Sequence, residues 1–311
     1  MRWLVLVVLC ALVAGCGFGE GETTGEVTLT VTRDFGNERL HEGIDSETAS
    51  EGDTAMRLLQ ANYEVETRYG GGFVQEIDGL SGGRDQGRQA DWFYYVNGIE
   101  APVGAAERRL SAGERVWWDH HAWEAAQRIP AVVGSFPEPF VSGLEGKKFP
   151  IRLVCAEGES RSCDEVEERL GDAGVKAISR TVIQQSLGEE VLRVIVGRWS
   201  DIRRDNVVRR LERGPGVSGV FARPTSTGDA FVLLDGEGGQ VRTLRAGAGL
   251  VAATSVEAQA PTWIVTGTDD VGVAAAAAAF TDERLEQHFA LAVQGGADLP
   301  LPVVTAQGTE P

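Results

Sequence analysis

One run of residues restricts the fold more than any other. Trp92-Phe93-Tyr94-Tyr95-Val96 is five consecutive aromatic and β-branched side chains, closed by Asn97-Gly98. Such residues favour a pleated strand, and an Asn-Gly pair suits the positive φ of a tight hairpin turn. Successive side chains on a strand point to opposite faces, so Trp92 and Tyr94 share one face and Phe93 and Tyr95 the other. A sheet with aromatics on both faces needs two covers, or one cover and one ligand. The sequence leaves both open. Either both sets cover the sheet, one under a helix and one under a second domain, or one set is an exposed stacking platform.

The amino terminus sets the compartment. Arg2 is followed by an uncharged apolar stretch from Trp3 to Ala14, then Gly15-Cys16. A basic start, a short apolar run and small residues at the cut describe a secretory leader, and the run falls short of the roughly 20 residues of a bilayer span. Leu12-Val13-Ala14-Gly15-Cys16 resembles the lipobox of bacterial lipoproteins. That resemblance implies cleavage after residue 15, lipid on Cys16, and attachment to the outer face of the cytoplasmic membrane. Residues 16–25 then read as a flexible tether, being rich in Gly, Glu and Thr.

Of the four cysteines, Cys10 leaves with the leader and Cys16 takes lipid. Cys155 and Cys163 remain, and in an oxidising compartment such a pair suggests a disulfide. A metal site is the rival, though no neighbouring His completes it. The formal net charge of −17 argues against a nucleic-acid partner, which needs clustered Lys and Arg.

Within residues 26–125, Val27 to Thr32 alternates as a strand, and Asp53 or Thr54 offers a cap to a helix carrying Met56, Leu59 and Tyr63. Phe73 to Ile77 and Val116 to Trp118 read as further strands, and Ser81 to Asp91 as a loop. One helix across a mixed or antiparallel sheet, an α+β and β-grasp-like domain, would bury these faces. Asp119-His120-His121 reads as a solvated strand end, since neighbouring histidines on a strand diverge too far to chelate together. The segment 126–149, with Ile129-Pro130 and Phe136-Pro137-Glu138-Pro139-Phe140, reads as a stiff linker.

Residues 150–300 alternate strands and helices, implying a second, α/β sandwich domain with a parallel or mixed sheet. Helices are expected over Asp164–Leu170, Asp205–Leu211 and the Ala-rich run after Gly267. Strands are expected at Pro150–Val154, Val191–Gly197, Val217–Phe221 and Thr262–Gly267, with a hairpin over Phe231–Leu244. Asp201 and Asp269 follow Gly turns and are expected to cap helices, where α/β proteins also tend to hold ligands. Residues 301–311 read as a disordered tail. No nucleophile elbow, zinc-protease motif or phosphate loop is present, so a catalytic function is not expected.

The order of pieces in the first domain carries a resemblance. Gly52-x-Thr54-Ala55, Phe73-x5-Gly79-Leu80, Trp92 to Gly98, Pro102-Val103-Gly104-Ala105-Ala106 and Leu110-x2-Gly113-x2-Val116-x-Trp118 together resemble a bacterial domain of unknown function. That domain is related to the C-terminal β-domain of transcobalamin and intrinsic factor. The resemblance implies an extracellular binding module, and by its vertebrate relatives a corrinoid (cobalamin-like) ligand held for delivery to a transporter. Trp92, Tyr94, Tyr95, Asn97, Gly98 and Trp117 would line that site. The alternative is a structural or adhesion module of the cell envelope that binds no small ligand.

Overall fold

A computed structural model describes residues 23–40, 44–50, 52–85, 87–182, 190–256 and 259–304. Cys16, the expected leader and residues 305–311 lie outside them. The chain is mixed α/β, mostly sheet with few helices. No helix among the described residues is long and apolar enough to cross a membrane.

The first half runs β1 (Thr23–Arg33), β2 (Glu38–Arg39), β3 (Ile44–Ser50), α1 (Ala55–Asn62), β4 (Val65–Arg68), β5 (Phe73–Ile77), β6 (Leu80–Ser81), β7 (Gly83–Asp85), β8 (Arg88–Val96), β9 (Ile99–Glu100) and β10 (Arg115–Ala122). The main sheet has the order β2-β1-β10-β8-β7, with β3 also on β1 and β9 on β8. It is mixed: β1 and β10 run parallel, β10 and β8 antiparallel. Thr54 caps α1, its hydroxyl accepting the Arg57 N–H at 3.2 Å. Helix α1 and the β4-β5-β6 sheet cover one face, where Leu29, Val31, Val116, Trp118, Trp92 and Tyr94 are buried with Leu59 and Ile77. Ser81 to Asp91 is not the loop expected: β7 and the start of β8 form there.

The second half continues with β11 (Ile151–Cys155), α2 (Ser160–Asp172), β12 (Ile178–Val182), β13 (Leu192–Arg198), α3 (Trp199–Ile202), α4 (Pro215–Ser218), β14 (Ala222–Pro224), β15 (Phe231–Leu234), β16 (Gln240–Leu244), β17 (Ala248–Thr254), β18 (Thr262–Gly267), α5 (Asp270–Ala278), α6 (Asp282–Leu285), β19 (Ala290–Gln294) and β20 (Ala297–Leu301). A seven-stranded sheet orders them β12-β11-β13-β18-β17-β19-β20. Its first four strands are mutually parallel and the rest antiparallel. Helices α2 and α5 pack on one face around Val166, Leu170, Val194, Val265 and Val273. The helix expected at Asp205–Leu211 is instead a 3-10 turn over Val208–Arg213, and Val217–Phe221 begins in α4 rather than a strand. The Ala-rich run forms a helix of nine residues.

Burial and pairing refine the expected boundaries. Residues 126–149, expected as a stiff linker, also carry core: Ile129, Val132, Val133, Phe136 and Phe140 are all buried. Val132 joins the core between the halves, and Val133, Phe136 and Phe140 join the helix-covered core. Prolines stiffen this segment, but its apolar side chains decide where it goes. Leu301 to Val303 are not part of the expected tail, because Leu301 is paired in β20 and Val303 donates its N–H to Leu234.

Candidate functional site

The aromatic sheet face is closed. Phe93, Tyr95 and Trp117 look toward the second half, and Tyr95 and Trp117 share one core cluster with Phe35, Phe221, Phe231 and Phe289. Tyr95 lies 5.5 Å from Phe289 and Trp117 lies 5.1 Å from it, ring centre to ring centre. Trp92 and Tyr94 are enclosed on the opposite face, the Trp92 indole donating to Leu80 O at 2.9 Å and the Tyr94 hydroxyl to Val103 O at 2.6 Å. Burial pushes the ionisation of Tyr94 and Tyr95 upward. A ring with both faces packed cannot stack on a ligand, so Trp92, Tyr94, Tyr95 and Trp117 are core and the expected platform is corrected.

Asn97 and Gly98 form the expected turn, at φ 53° and 74°. Asn97 is fully buried; its amide donates to Gly143 O at 2.6 Å and accepts from the Arg115 N–H at 2.7 Å. A Cβ on Gly98 would fall 2.8 Å from Val132 O. Both residues are therefore spent pinning residues 126–149 to the sheet, and neither is a ligand contact.

Asp119-His120-His121 is likewise not a solvated end, since all three are buried. Asp119 and His121 share the face toward the second half. The Asp119 carboxylate accepts the Phe35 N–H at 3.0 Å, the Gly36 N–H at 2.8 Å and the Thr32 hydroxyl, and His121 Nδ1 lies 2.7 Å from it. Thr32 in turn accepts the Trp117 indole N–H at 2.7 Å. Asp34, Phe35 and Gly36 all have positive φ, so two successive N–H groups converge on one carboxylate, an anion nest. The nest holds out Phe35, whose ring stacks on His121 at 4.6 Å and meets Phe221 edge-on at 5.0 Å. Asp119 thus aims the aromatic that joins the halves. No group of three or more potential ligands placed to hold a metal occurs among the described residues.

An open site lies elsewhere. Strand β11 leads through α2 to β12 on one side of it, while β13, on its other side, neighbours β18. The connections diverge between β11 and β13, and in α/β sheets the space outside the carboxyl ends at such a point is the usual ligand crevice. A crevice of about 830 Å³ opens there, lined by Cys155, Glu157, Ser160, Arg180, Asp201 and Arg204 among others. The Cys155–Cys163 disulfide ties the end of β11 to α2. Arg180 is held by Asp164 at 2.7 Å, by Glu167 at 3.3 Å and by Ser160 O at 3.2 Å. Arg204 is exposed and in no ion pair among the described residues. Glu157 and Asp201 supply the opposite charge.

The rim is braced behind the crevice. Arg198 pairs with Asp270, at the start of α5, and lies 3.7 Å from Glu159, which precedes α2. Burial first, then the hydrogen bond with Asp270 and its charge, push the Glu159 carboxyl upward, while Arg198 holds Asp270 down. Asp269 caps α5, accepting the Gly272 N–H at 2.9 Å, and also accepts the Gly247 N–H at 2.7 Å. Asp201 does not cap: it sits inside the first turn of α3, whose preceding residue is Arg198. Arg180 and Arg204 were missed as site residues. Ile178–Val182 shows no marked alternation, so nothing placed Arg180 on a strand.

Residues 52–122 match a family described as "Domain of unknown function (DUF4430)". This stretch, a minority of the chain, is similar to that family. Among solved structures the chain is similar to one from Ruminococcus gnavus described as "a putative metal binding protein". Identity is 16%, the match covers 32% of this chain and 97% of that one, and the TM-score is 0.24, too low to transfer fold or ligand. No curated protein matches. Neither similarity brings in transcobalamin or intrinsic factor.

Proposed function

We propose that the protein is an exported binding protein, held to a membrane by lipid on Cys16, that carries a small solute in the crevice between β11 and β13. The crevice carries this reading. It is roomy, it sits where α/β sheets hold ligands, and it presents Arg204 beside Asp201 and Glu157. One free cation near two carboxylates suits a zwitterion such as an amino acid or short peptide. The Cys155–Cys163 bridge supports an oxidising compartment, in keeping with the leader. Among the described residues that line the crevice none is a His to activate Ser160, and we read the protein as a carrier rather than a catalyst.

Thermal shift of the mature chain carrying Cys16→Ser, titrated with amino acids and dipeptides, tests it. The expected result is a saturable rise in Tm that Arg204→Ala removes. No shift with any of them at 10 mM, roughly the millimolar end of the affinity scale, rejects the reading. Cobalamin and cobinamide belong in the same titration. The enclosed aromatic sheet offers them no flat surface, so no corrinoid binding is expected there.

A further inference from the structure

A second concave surface lies in the first half, remote in sequence from the crevice just described. A groove of about 600 Å³ runs beside α1, with Thr54, Met56, Arg57 and Gln60 on one wall and Glu107 and Arg109 on the other. The backbone brings two arginines together here. Thr54 and Arg109 form a bridge across the groove's end, and the Thr54 hydroxyl accepts the Arg57 N–H. Arg57 and Arg109 are both exposed.

Among the described residues these two arginines stand without an ion pair, as do Arg204 and several others of this chain. It carries 46 acidic and 29 basic side chains, so acids outnumber available cations. Arg33, Arg108, Arg115, Arg193 and Arg284 each have a carboxylate partner. Arg57 and Arg109 have none among the described residues, although Glu107 lines the same groove. The start of α1 does not supply the positive charge, because its N–H groups are already taken. Ala55 N–H goes to Arg108 O, Met56 N–H to Ala105 O and Arg57 N–H to Thr54. What remains for a ligand is two guanidinium forks.

Two residues before Gly71, which lines the groove, the chain carries an exposed aromatic. Tyr69 is 88% exposed, the most exposed large hydrophobic residue described, and its φ is 53°. A tyrosine at positive φ costs on the order of 1 kcal/mol, with no burial here to offset it. Its only ring neighbour among the described residues is Phe73, edge-on at 6.3 Å. Gly70-Gly71-Gly72 follows; Gly71 lines the groove, and a Cβ on Gly104 would fall 3.1 Å from Gly72 O, so the loop is packed down at its base. The ring stands in water two residues from the groove wall.

We infer that this groove binds an anionic saccharide, a sugar unit bearing a carboxylate or a phosphate. Paired guanidiniums recognise such oxyanions in a bidentate way. An exposed tyrosine offers a flat apolar face to a sugar ring with a polar tip. The Gln60 amide and the Thr54 hydroxyl supply neutral polar contacts of the kind hydroxyl groups need. This site is independent of the crevice between β11 and β13.

Calorimetric titration of the mature chain tests the inference with four probes: trigalacturonate, glucose 1-phosphate, maltotriose and inorganic phosphate. At least one of the first two should bind saturably, and maltotriose at least tenfold more weakly. Which of them binds tells carboxylate from phosphate as the anion. Arg57→Gln with Arg109→Gln should weaken that binding about tenfold or more, since tenfold is the loss of about 1.4 kcal/mol from a charged contact. Tyr69→Ala should weaken the charged sugar while leaving any inorganic phosphate binding unchanged. All three residues are exposed, so an unchanged urea midpoint shows that the variants fold. No binding of either charged sugar at 10 mM, roughly the weakest useful affinity, overturns the inference. So do equal binding of maltotriose and an unaltered affinity in the double arginine variant.

Discussion

Asp119→Asn is the sharpest test of how the halves are joined. The change keeps shape and volume, so no cavity forms, and only one oxygen becomes an NH2 group. Each Asp119 oxygen now faces two groups: Oδ1 takes the Phe35 N–H and lies beside His121 Nδ1, and Oδ2 takes the Gly36 N–H and the Thr32 hydroxyl. Whichever way the amide turns, its NH2 therefore meets a backbone donor that cannot move. The Thr32 hydroxyl can turn toward Trp118 O at 3.4 Å, and His121 can change tautomer. A backbone N–H has no such escape. One orphaned buried donor costs about 1–3 kcal/mol, and two cost up to about twice that. Urea denaturation followed by tryptophan fluorescence should show a loss in that range, with the midpoint lowered and the slope kept. Trp117 lies in the same network, so its emission should report the change. A loss under about 0.5 kcal/mol, the size of an ordinary surface substitution, would refute the argument that Asp119 organises the Phe35 loop.

Three further outcomes follow from other parts of the molecule. Burial holds the Glu138 carboxyl above its ordinary 4.5, so its contribution is fully present below that pH and is lost as pH rises through the higher folded value. Glu138→Gln should remove this decline, seen as a flatter plot of urea midpoint against pH above 4.5. Breaking the Cys155–Cys163 bridge with paired serines should cost about 2–3 kcal/mol for so short a loop and lower Tm in a thermal melt. Cys16→Ser should move the protein from the membrane fraction to the soluble fraction on cell fractionation, and abolish labelling by a radioactive fatty acid.

Much of the first half was readable because its sheet has one strongly patterned face. Val27, Leu29 and Val31 alternate with threonines, and Thr54 stands where a cap must stand, so β1 and α1 were visible. What lies over Phe93 and Tyr95 was left open between a second domain and a ligand. Alternation groups residues by face but says nothing of the cover, which here comes from Phe35, Phe221 and Phe289. Strand β17 escaped because Ala248–Thr254 is buried on both faces and shows no period of two. The core carried by residues 126–149 was not legible, because prolines drew attention from Val132, Val133, Phe136 and Phe140. The crevice was half legible: Cys155 and Asp201 stood out, but only the strand order brings Arg180 and Arg204 beside them.

The shared core has a consequence for how the protein is made. A ribosome delivers the amino-terminal sheet first, with Tyr95 and Trp117 bare on its back. Their covers, Phe221 and Phe289, arrive more than a hundred residues later. Until then the nascent chain carries an oily, unfinished surface, and whatever escorts it must shield that surface through most of its synthesis.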